Sequence, residues 1–312
     1  MRQIIISLCS ALASATLLAD PIHDAVLQGQ LEQVETILKQ TPAAARARDA
    51  NGNTPLHLAA AAGNADIAEL LLDGWAEINA VNNAGDTPLL VALNNEENPV
   101  IPLLLKKKPN LTITGAGDTT PLQRAAWNGL KNAYRMLLDA GAQPDIFSAV
   151  ALGDTAVAAG LIRSNSTVLK QIGPHGGTPL HWAAARGNAA TIQLLLSHNA
   201  NPRTVGSDGA TAFHWAAIHN NTETLSALLK QFPHLADITD NFTKTTPLQS
   251  AAAGGHTPVM QLLLQHGARL THRNLTRNVP MIIAQTKPLF AWDCLEDSPS
   301  LKTIRDLLAT LP

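Results

Sequence analysis

Eleven histidines, two cysteines and 24 acidic residues are the side chains in this 312-residue chain that could ligate a metal or work on a substrate. Their spacing argues against both. No His-Glu-x-x-His pair and no Cys/His cluster occurs, so the common zinc geometries lack ligands. There is no Gly-x-Ser-x-Gly, no phosphate-cradling glycine loop and no dinucleotide fingerprint. One dense polar cluster exists: Asp293, Cys294, Glu296 and Asp297 beside Trp292. A Cys294 nucleophile would need a histidine partner and an oxyanion site. The nearest histidines in sequence, His266 and His272, belong to a different stretch. Three other histidines share one context: His57, His181 and His214 each stand three residues after a threonine, in Thr-Pro-Leu-His, Thr-Pro-Leu-His and Thr-Ala-Phe-His. An imidazole there can bond to the threonine and the adjacent backbone, which is a structural role. His175, His219, His256, His266 and His272 scatter around turns.

The elements that would position these side chains follow a repeat. Thr54, Thr87 and Thr120 are spaced at 33, as are Thr178 and Thr211, and Thr246 follows 35 later. A fixed period of this size predicts stacked supersecondary units. In the unit at Thr54 the threonine can cap a helix and Pro55 suits its first position. Leu56, Ala59 and Ala60 face inward, and Gly63-Asn64 ends the helix. Ile67, Ala68, Leu70, Leu71 and Leu72 then form a second apolar stripe. Neither stripe can be buried without neighbouring units.

Asp49-Ala50-Asn51-Gly52-Asn53-Thr54-Pro55-Leu56-His57-Leu58-Ala59-Ala60, continuing to Gly63-Asn64, resembles the ankyrin repeat, as does Gly177-Thr178-Pro179-Leu180-His181-Trp182-Ala183-Ala184 through Gly187-Asn188. The resemblance runs from about residue 20 to 310. It implies an all-α solenoid of about eight helix-turn-helix units with β-hairpin-like loops. The units fall near 20–53, 54–86, 87–119, 120–143, 144–177, 178–210, 211–245 and 246–278, with a capping unit at 279–312. The fourth lacks its long hairpin, and an insertion at 288–298 interrupts the last. Trp75 and Lys108 replace the usual closing glycine, with Gly74 expected to take the left-handed role in Trp75's place. Asn94–Pro99, in place of the usual inter-helix turn, and Pro102, at the start of the second helix, make the third unit the expected least stable one or the place of a local distortion with a binding role. Trp182 and Trp215, one residue after the structural histidine, are expected to be half-buried.

In this family partners are usually gripped by the concave face, through the hairpin tips and inner helices. Carried onto this chain, those positions are Asn51, Asn53, Asn83, Asp86, Trp127, Asn128, His175, Arg186, Asp208, Ile218, His219 and Phe242. The expected function is a non-catalytic scaffold for a protein partner, with no cofactor, metal or small-molecule substrate. The alternatives are an effector that binds a host protein, or an enzyme built on the insertion around Cys294.

Composition narrows the setting. The net charge of −2 sets up no strong field and weighs against nucleic acid. Lys106-Lys107-Lys108 reads as a solvated helix end, where cations suit the dipole. Residues 1–19 read as a secretory signal: Arg2, an apolar run from Ile4 to Leu12, then small-x-small Ala13-Ser14-Ala15. Cleavage after Ala15 or Ala19 would remove Cys9, leaving Cys294 without a disulfide partner. The expected residence is the periplasm if the source is a Gram-negative bacterium, otherwise outside the cell, with no stable membrane insertion after cleavage. Asn110, Asn165, Asn220, Asn241 and Asn274 head Asn-x-Ser/Thr triplets that matter only in a eukaryotic secretory pathway.

Overall fold

The computed structural model describes residues 20–269 except Trp75 and Glu96. The signal-like segment 1–19, Cys9, His272, Asn274, Cys294, the 288–298 insertion and the capping unit 279–312 lie outside the described residues.

The Thr-Pro dipeptide starts helices for a local reason. Thr54, Thr87, Thr120, Thr178 and Thr246 are all extended N-caps followed by proline at the first helical position, where no backbone donor is required. The chain divides between Gln143 and Pro144 into two compact units. Unit 1 contains the pairs α1 (Asp20–Leu27) with α2 (Leu31–Gln40), α3 (Pro55–Ala62) with α4 (Ala65–Asp73), α5 (Pro88–Ala92) with α6 (Val100–Lys106), and α7 (Pro121–Trp127) with α8 (Lys131–Asp139). Unit 2 contains α9 (Ile146–Leu152) with α10 (Thr155–Ser164), α11 (Pro179–Arg186) with α12 (Ala189–Ser197), α13 (Ala212–Ile218) with α14 (Thr222–Gln231), and α15 (Pro247–Ala253) with α16 (Thr257–Gln265). Each unit is an all-α stack of helix pairs, and among the described residues there is no β-strand, only an isolated bridge from Val205 to Thr211. No helix of the described residues is long and apolar enough to cross a membrane.

Within each pair the apolar stripes meet. Leu56, Ala59 and Ala60 of α3 are buried, as are Ile67, Ala68 and Leu71 of α4. Each buried leucine or isoleucine contributes about 1.5–3 kcal/mol of hydrophobic stabilisation, and the alanines let successive first helices approach closely. Gly63 closes α3 at φ +70°, a left-handed conformation that costs glycine little.

The third pair is short: α5 has five residues and α6 has seven. Pro102 is the third residue of α6, inside the first turn, so its missing N–H removes no helical hydrogen bond. Lys108 takes the left-handed position itself at φ 56°. Gly74 does not: its φ is −88°, which corrects the expectation placed on it. Past α8 the Gly141–Asp145 segment leads straight into α9, which Asp145 caps by accepting from the Ser148 N–H at 2.7 Å.

Between pairs, tight turns protrude. Asp49, Asn82, Gly115, Gly173 and Gly206 each donate their N–H to the carbonyl four residues on. The turn from Asp240 closes five residues on, at Thr245, so it holds one extra residue. This accounts for part of the 35-residue step.

Candidate functional site

The three structural histidines form one repeated latch. The His57 Nδ1 accepts from the Thr54 N–H at 3.1 Å and lies 2.8 Å from the Thr54 hydroxyl. A nitrogen that accepts a backbone N–H carries no proton, so Nε2 holds it and donates to the Asp86 carbonyl at 2.9 Å. The same geometry joins His181 to Thr178 and the Ala210 carbonyl, and His214 to Thr211 and the Thr245 carbonyl. Each imidazole therefore fastens its own helix start to the turn of the next repeat. His23 Nε2 makes a related contact with the Asn53 carbonyl at 3.1 Å. Burial lowers the pKa of His57, His181 and His214, keeping them neutral. Gln123 and Gln249 supply the same local acceptor to Thr120 and Thr246.

In unit 1 most of the residues singled out from sequence are engaged by the fold. Asn53 is half-buried, donates to Asp49 and accepts from the Asn82 amide at 2.9 Å. Asn83 is exposed, but its side chain donates to the Ala50 carbonyl and its backbone N–H to the Asn51 carbonyl. Asn51 is exposed at the tip, and Gly52 beside it sits at φ +72°, where an added Cβ would lie 2.3 Å from Asn83 Oδ1. Asp86 is buried: its carboxylate accepts from Arg124 Nη2 at 3.0 Å and from the Ala116 N–H at 2.9 Å. Those bonds turn Asp86 inward, away from any partner. Asn128 is half-buried and donates to the Leu93 carbonyl, and Trp127 is half-buried.

Unit 2 directs more of them outward. Two glycines make room for aromatic rings. A Cβ on Gly173 would lie 2.2 Å from the Phe147 ring, and one on Gly177 would lie 2.6 Å from Trp215. With that room, Phe147 meets Trp182 edge-on at 5.6 Å, and Trp182 donates its indole N–H to the Pro174 carbonyl. Trp182 is 0% exposed and Trp215 5%, so both are core residues rather than half-buried ones. Over this floor sits His175, exposed, in a left-handed turn at φ 56°, its ring 5.8 Å from Trp182. Asp208 accepts the Trp215 indole N–H at 2.9 Å while remaining exposed. Arg186 ends α11, and His219 follows α13 with its ring 6.3 Å from Trp215. Ile218 and Phe242 are 47% and 69% exposed.

Arg186 and His219 both retain exposed surface and are nevertheless partly desolvated. Burial lowers the Arg186 pKa. Burial first, and then the positive charges of Arg186, His175 and His256, push His219 down to about 4. His256 was missed as a member of this face. Its ring covers Gly254 and its Nε2 donates to the Ile218 carbonyl at 2.9 Å. Its only sequence signal was a place in the inter-helix turn one repeat beyond His219. Arg124 carried no sequence signal at all. Among the described residues no group of three His, Cys, Asp or Glu side chains is arranged to hold a metal ion.

A protein family described as ankyrin repeats (3 copies) matches residues 22–114, 74–148, 146–240 and 180–274. Among curated proteins the chain is similar to a probable E3 ubiquitin-protein ligase, XBOS33, of Oryza sativa subsp. japonica, 32% identical over 195 residues that make up 57% of this chain and 38% of that protein. It is similar also to neurogenic locus notch homolog protein 2 of Homo sapiens, 30% identical over 184 residues, 59% of this chain and 6% of that protein. The chain thus spans well under half the length of either relative. Two solved structures are similar: the human ASB11 ankyrin repeat domain (TM-score 0.47, 25% identity, 68% of this chain and 97% of that one) and a chain from the complex of the Bd0816 predatory endopeptidase of Bdellovibrio bacteriovorus with immunity protein Bd3460 (TM-score 0.46, 27% identity, 68% and 98%).

Proposed function

This chain belongs to the ankyrin-repeat family, and from that premise we propose that it is a scaffold without catalysis of its own, gripping a protein partner through the turns and first helices of unit 2. The observation that carries this reading is the exposed set Arg186, Ile218, His219 and Phe242, drawn from successive repeats, with the His219 ring 6.3 Å from buried Trp215. Arginine and large aromatic side chains dominate interface energies. The backbone beneath them is already fixed by the His181 and His214 latches, so binding forfeits little ordering entropy. The ubiquitin-ligase activity in the rice relative's name is not carried over, because the match spans 38% of that protein.

The reading includes export, to the periplasm if the source is a Gram-negative bacterium and otherwise out of the cell. Its support is the sequence pattern of residues 1–19 alone. Fractionation of the native cells tests it, and recovery of the full-length chain in the cytoplasm counts against it. For the binding face, Arg186→Ala with Phe242→Ala should abolish capture of the partner at an unchanged melting temperature. Undiminished capture would move the interface elsewhere.

A further inference from the structure

Three consecutive repeats of unit 2 bring basic side chains to one place. Arg186 comes from the end of α11, His219 from the end of α13 and His256 from the turn before α16, while His175 reaches in from the turn before α11. Arg186 and His219 stand at the ends of two first helices packed side by side, and the 2.9 Å bond from His256 Nε2 to the Ile218 carbonyl holds His256 beside His219. Two carboxylates lie nearby: Asp208, in the turn before α13, accepts from the Trp215 indole and the Ala210 N–H, and Glu223, on the first turn of α14, accepts from the Ala189 N–H at 2.9 Å. Apolar surface flanks the group at Ile218 and Phe242. We propose that this basic, aromatic-floored face docks an acidic peptide segment of a protein partner, with a carboxylate at Arg186 and His219 and an apolar neighbour against Ile218 or Phe242. The inference rests on the scaffold reading and adds the chemistry of the partner.

Charge complementarity selects the occupant. A guanidinium presents a planar fork that matches a carboxylate. Both tryptophans of the floor are buried, so neither offers a stacking face to a nucleic-acid base. The whole chain carries 22 basic against 24 acidic residues, which gives no long-range attraction for a polyanion or an anionic membrane. A local cluster in a near-neutral protein suits a short acidic segment.

A carboxylate docked beside His219 would favour its protonated form. The groups around that ring are Trp215 on its own helix, with Asp208 held behind the indole, and Arg186, His175 and His256.

The test is selection of a displayed library of random twelve-residue peptides on the full chain, followed by affinity measurement. Peptides rich in Asp and Glu are expected. Their affinity should fall at least tenfold on Arg186→Ala and hold on the outer-helix control Arg163→Ala. Selected peptides that lack acidic enrichment, or that bind Arg186→Ala as well as wild type, overturn the acidic-segment assignment and leave the scaffold reading standing. Failure to select any peptide overturns it too, as does Arg186-dependent binding of an oligothymidine or of phosphatidylserine vesicles in place of peptides. The partner-capture experiment then decides the scaffold reading separately.

Discussion

Unit 1 and unit 2 solve the same problem, fastening one repeat to the next, with different chemistry. Unit 2 uses a neutral imidazole twice, His181 to the Ala210 carbonyl and His214 to the Thr245 carbonyl. Unit 1 uses it at His57, but the next repeat has Leu90 at the equivalent position, and a buried ion pair makes the connection. Asp86 reaches the Ala116 N–H, and Arg124 binds Asp86, the Thr119 hydroxyl and the Ala116 carbonyl. The turn tips differ likewise. Both units share a backbone bond between tips, from Asn83 to Asn51 in unit 1 and from Ser207 and Asn241 to Gly176 and Gly209 in unit 2, but unit 1 adds the side-chain amides of Asn82 and Asn83. Where backbone alone holds the tips, side chains are left to face outward. The candidate site lies in the unit built that way.

The sharpest break of this comparison is Arg124→Ala. Removing one partner of a buried pair leaves the other charge uncompensated, at a cost of about 3–5 kcal/mol. Both side chains are only 10% exposed, so solvent screening gives little relief. Urea denaturation should show the loss. The double variant Asp86→Ala with Arg124→Leu should recover a good part of it, since no buried charge remains. A loss below about 1 kcal/mol for the single variant would show that the pair is solvated and that the third repeat is fastened in some other way.

The histidine latches should break more gently and with a pH signature. His214→Ala strands the Thr211 N–H and the Thr245 carbonyl, at about 1–3 kcal/mol. His214→Gln should cost less, because Gln123 and Gln249 show that an amide oxygen can take the local bond. A protonated ring would aim an N–H at the Thr211 N–H, and burial also favours the neutral form. The folded pKa of His57, His181 and His214 therefore lies below the unfolded value. Their stabilisation is complete above an unfolded pKa of about 6.5 and is lost as the pH falls below it, by up to about 1.4 kcal/mol per pH unit for each histidine. Replacing all three by glutamine should flatten stability between pH 7 and 5. Asp240 works lower. Burial pushes its carboxyl up, but hydrogen bonds from Thr243 and Thr245 outweigh this and hold it at about 2. Its contribution is present above a pKa of about 3.9 and disappears toward pH 2.

Steric seating comes next in size. Gly173 has an ordinary backbone conformation, so Gly173→Ala isolates the clash with the Phe147 ring. About 1–3 kcal/mol is expected as Phe147 and Trp182 shift. Loss of the His175–Trp182 ring contact should be visible in the histidine ring resonances.

What could be read from sequence was what is local. Thr-Pro announces a helix start, and the apolar stripes of α3 and α4 follow from their spacing. His57 three residues after Thr54 suggests the Nδ1 bond. The other half of that latch joins residues 29 apart, and the Asp86–Arg124 pair joins residues 38 apart. Such bonds depend on how consecutive turns stack, which no single repeat encodes. Asp86 was therefore assigned to the surface when it is buried. Trp182 and Trp215 were expected to be half-buried because the space opened by Gly173 and Gly177 appears only when the turns fold over them. The family pattern also suggested that Gly74 would be left-handed, and the actual turn does not use it so.

The smallest expected effect separates the two kinds of tip. Asn82 accepts from the N–H groups of Ala84 and Asp86 and donates to Asn53, so Asn82→Ala should cost about 1 kcal/mol. Ser207 joins its neighbour through its backbone N–H, so Ser207→Ala should stay within about 0.5 kcal/mol. Global melting resolves such values poorly in a repeat array, where stability is a sum of local and nearest-neighbour contributions. Hydrogen exchange reads them where they act. The amides of Ala84, Gly85 and Asp86 should exchange several times faster in Asn82→Ala, while the Ser207 and Gly209 amides should be unchanged in Ser207→Ala. Equal acceleration at both tips would mean that side chains tie unit 2 as tightly as unit 1. The outward face of unit 2 would then owe its exposure to something other than backbone-held turns.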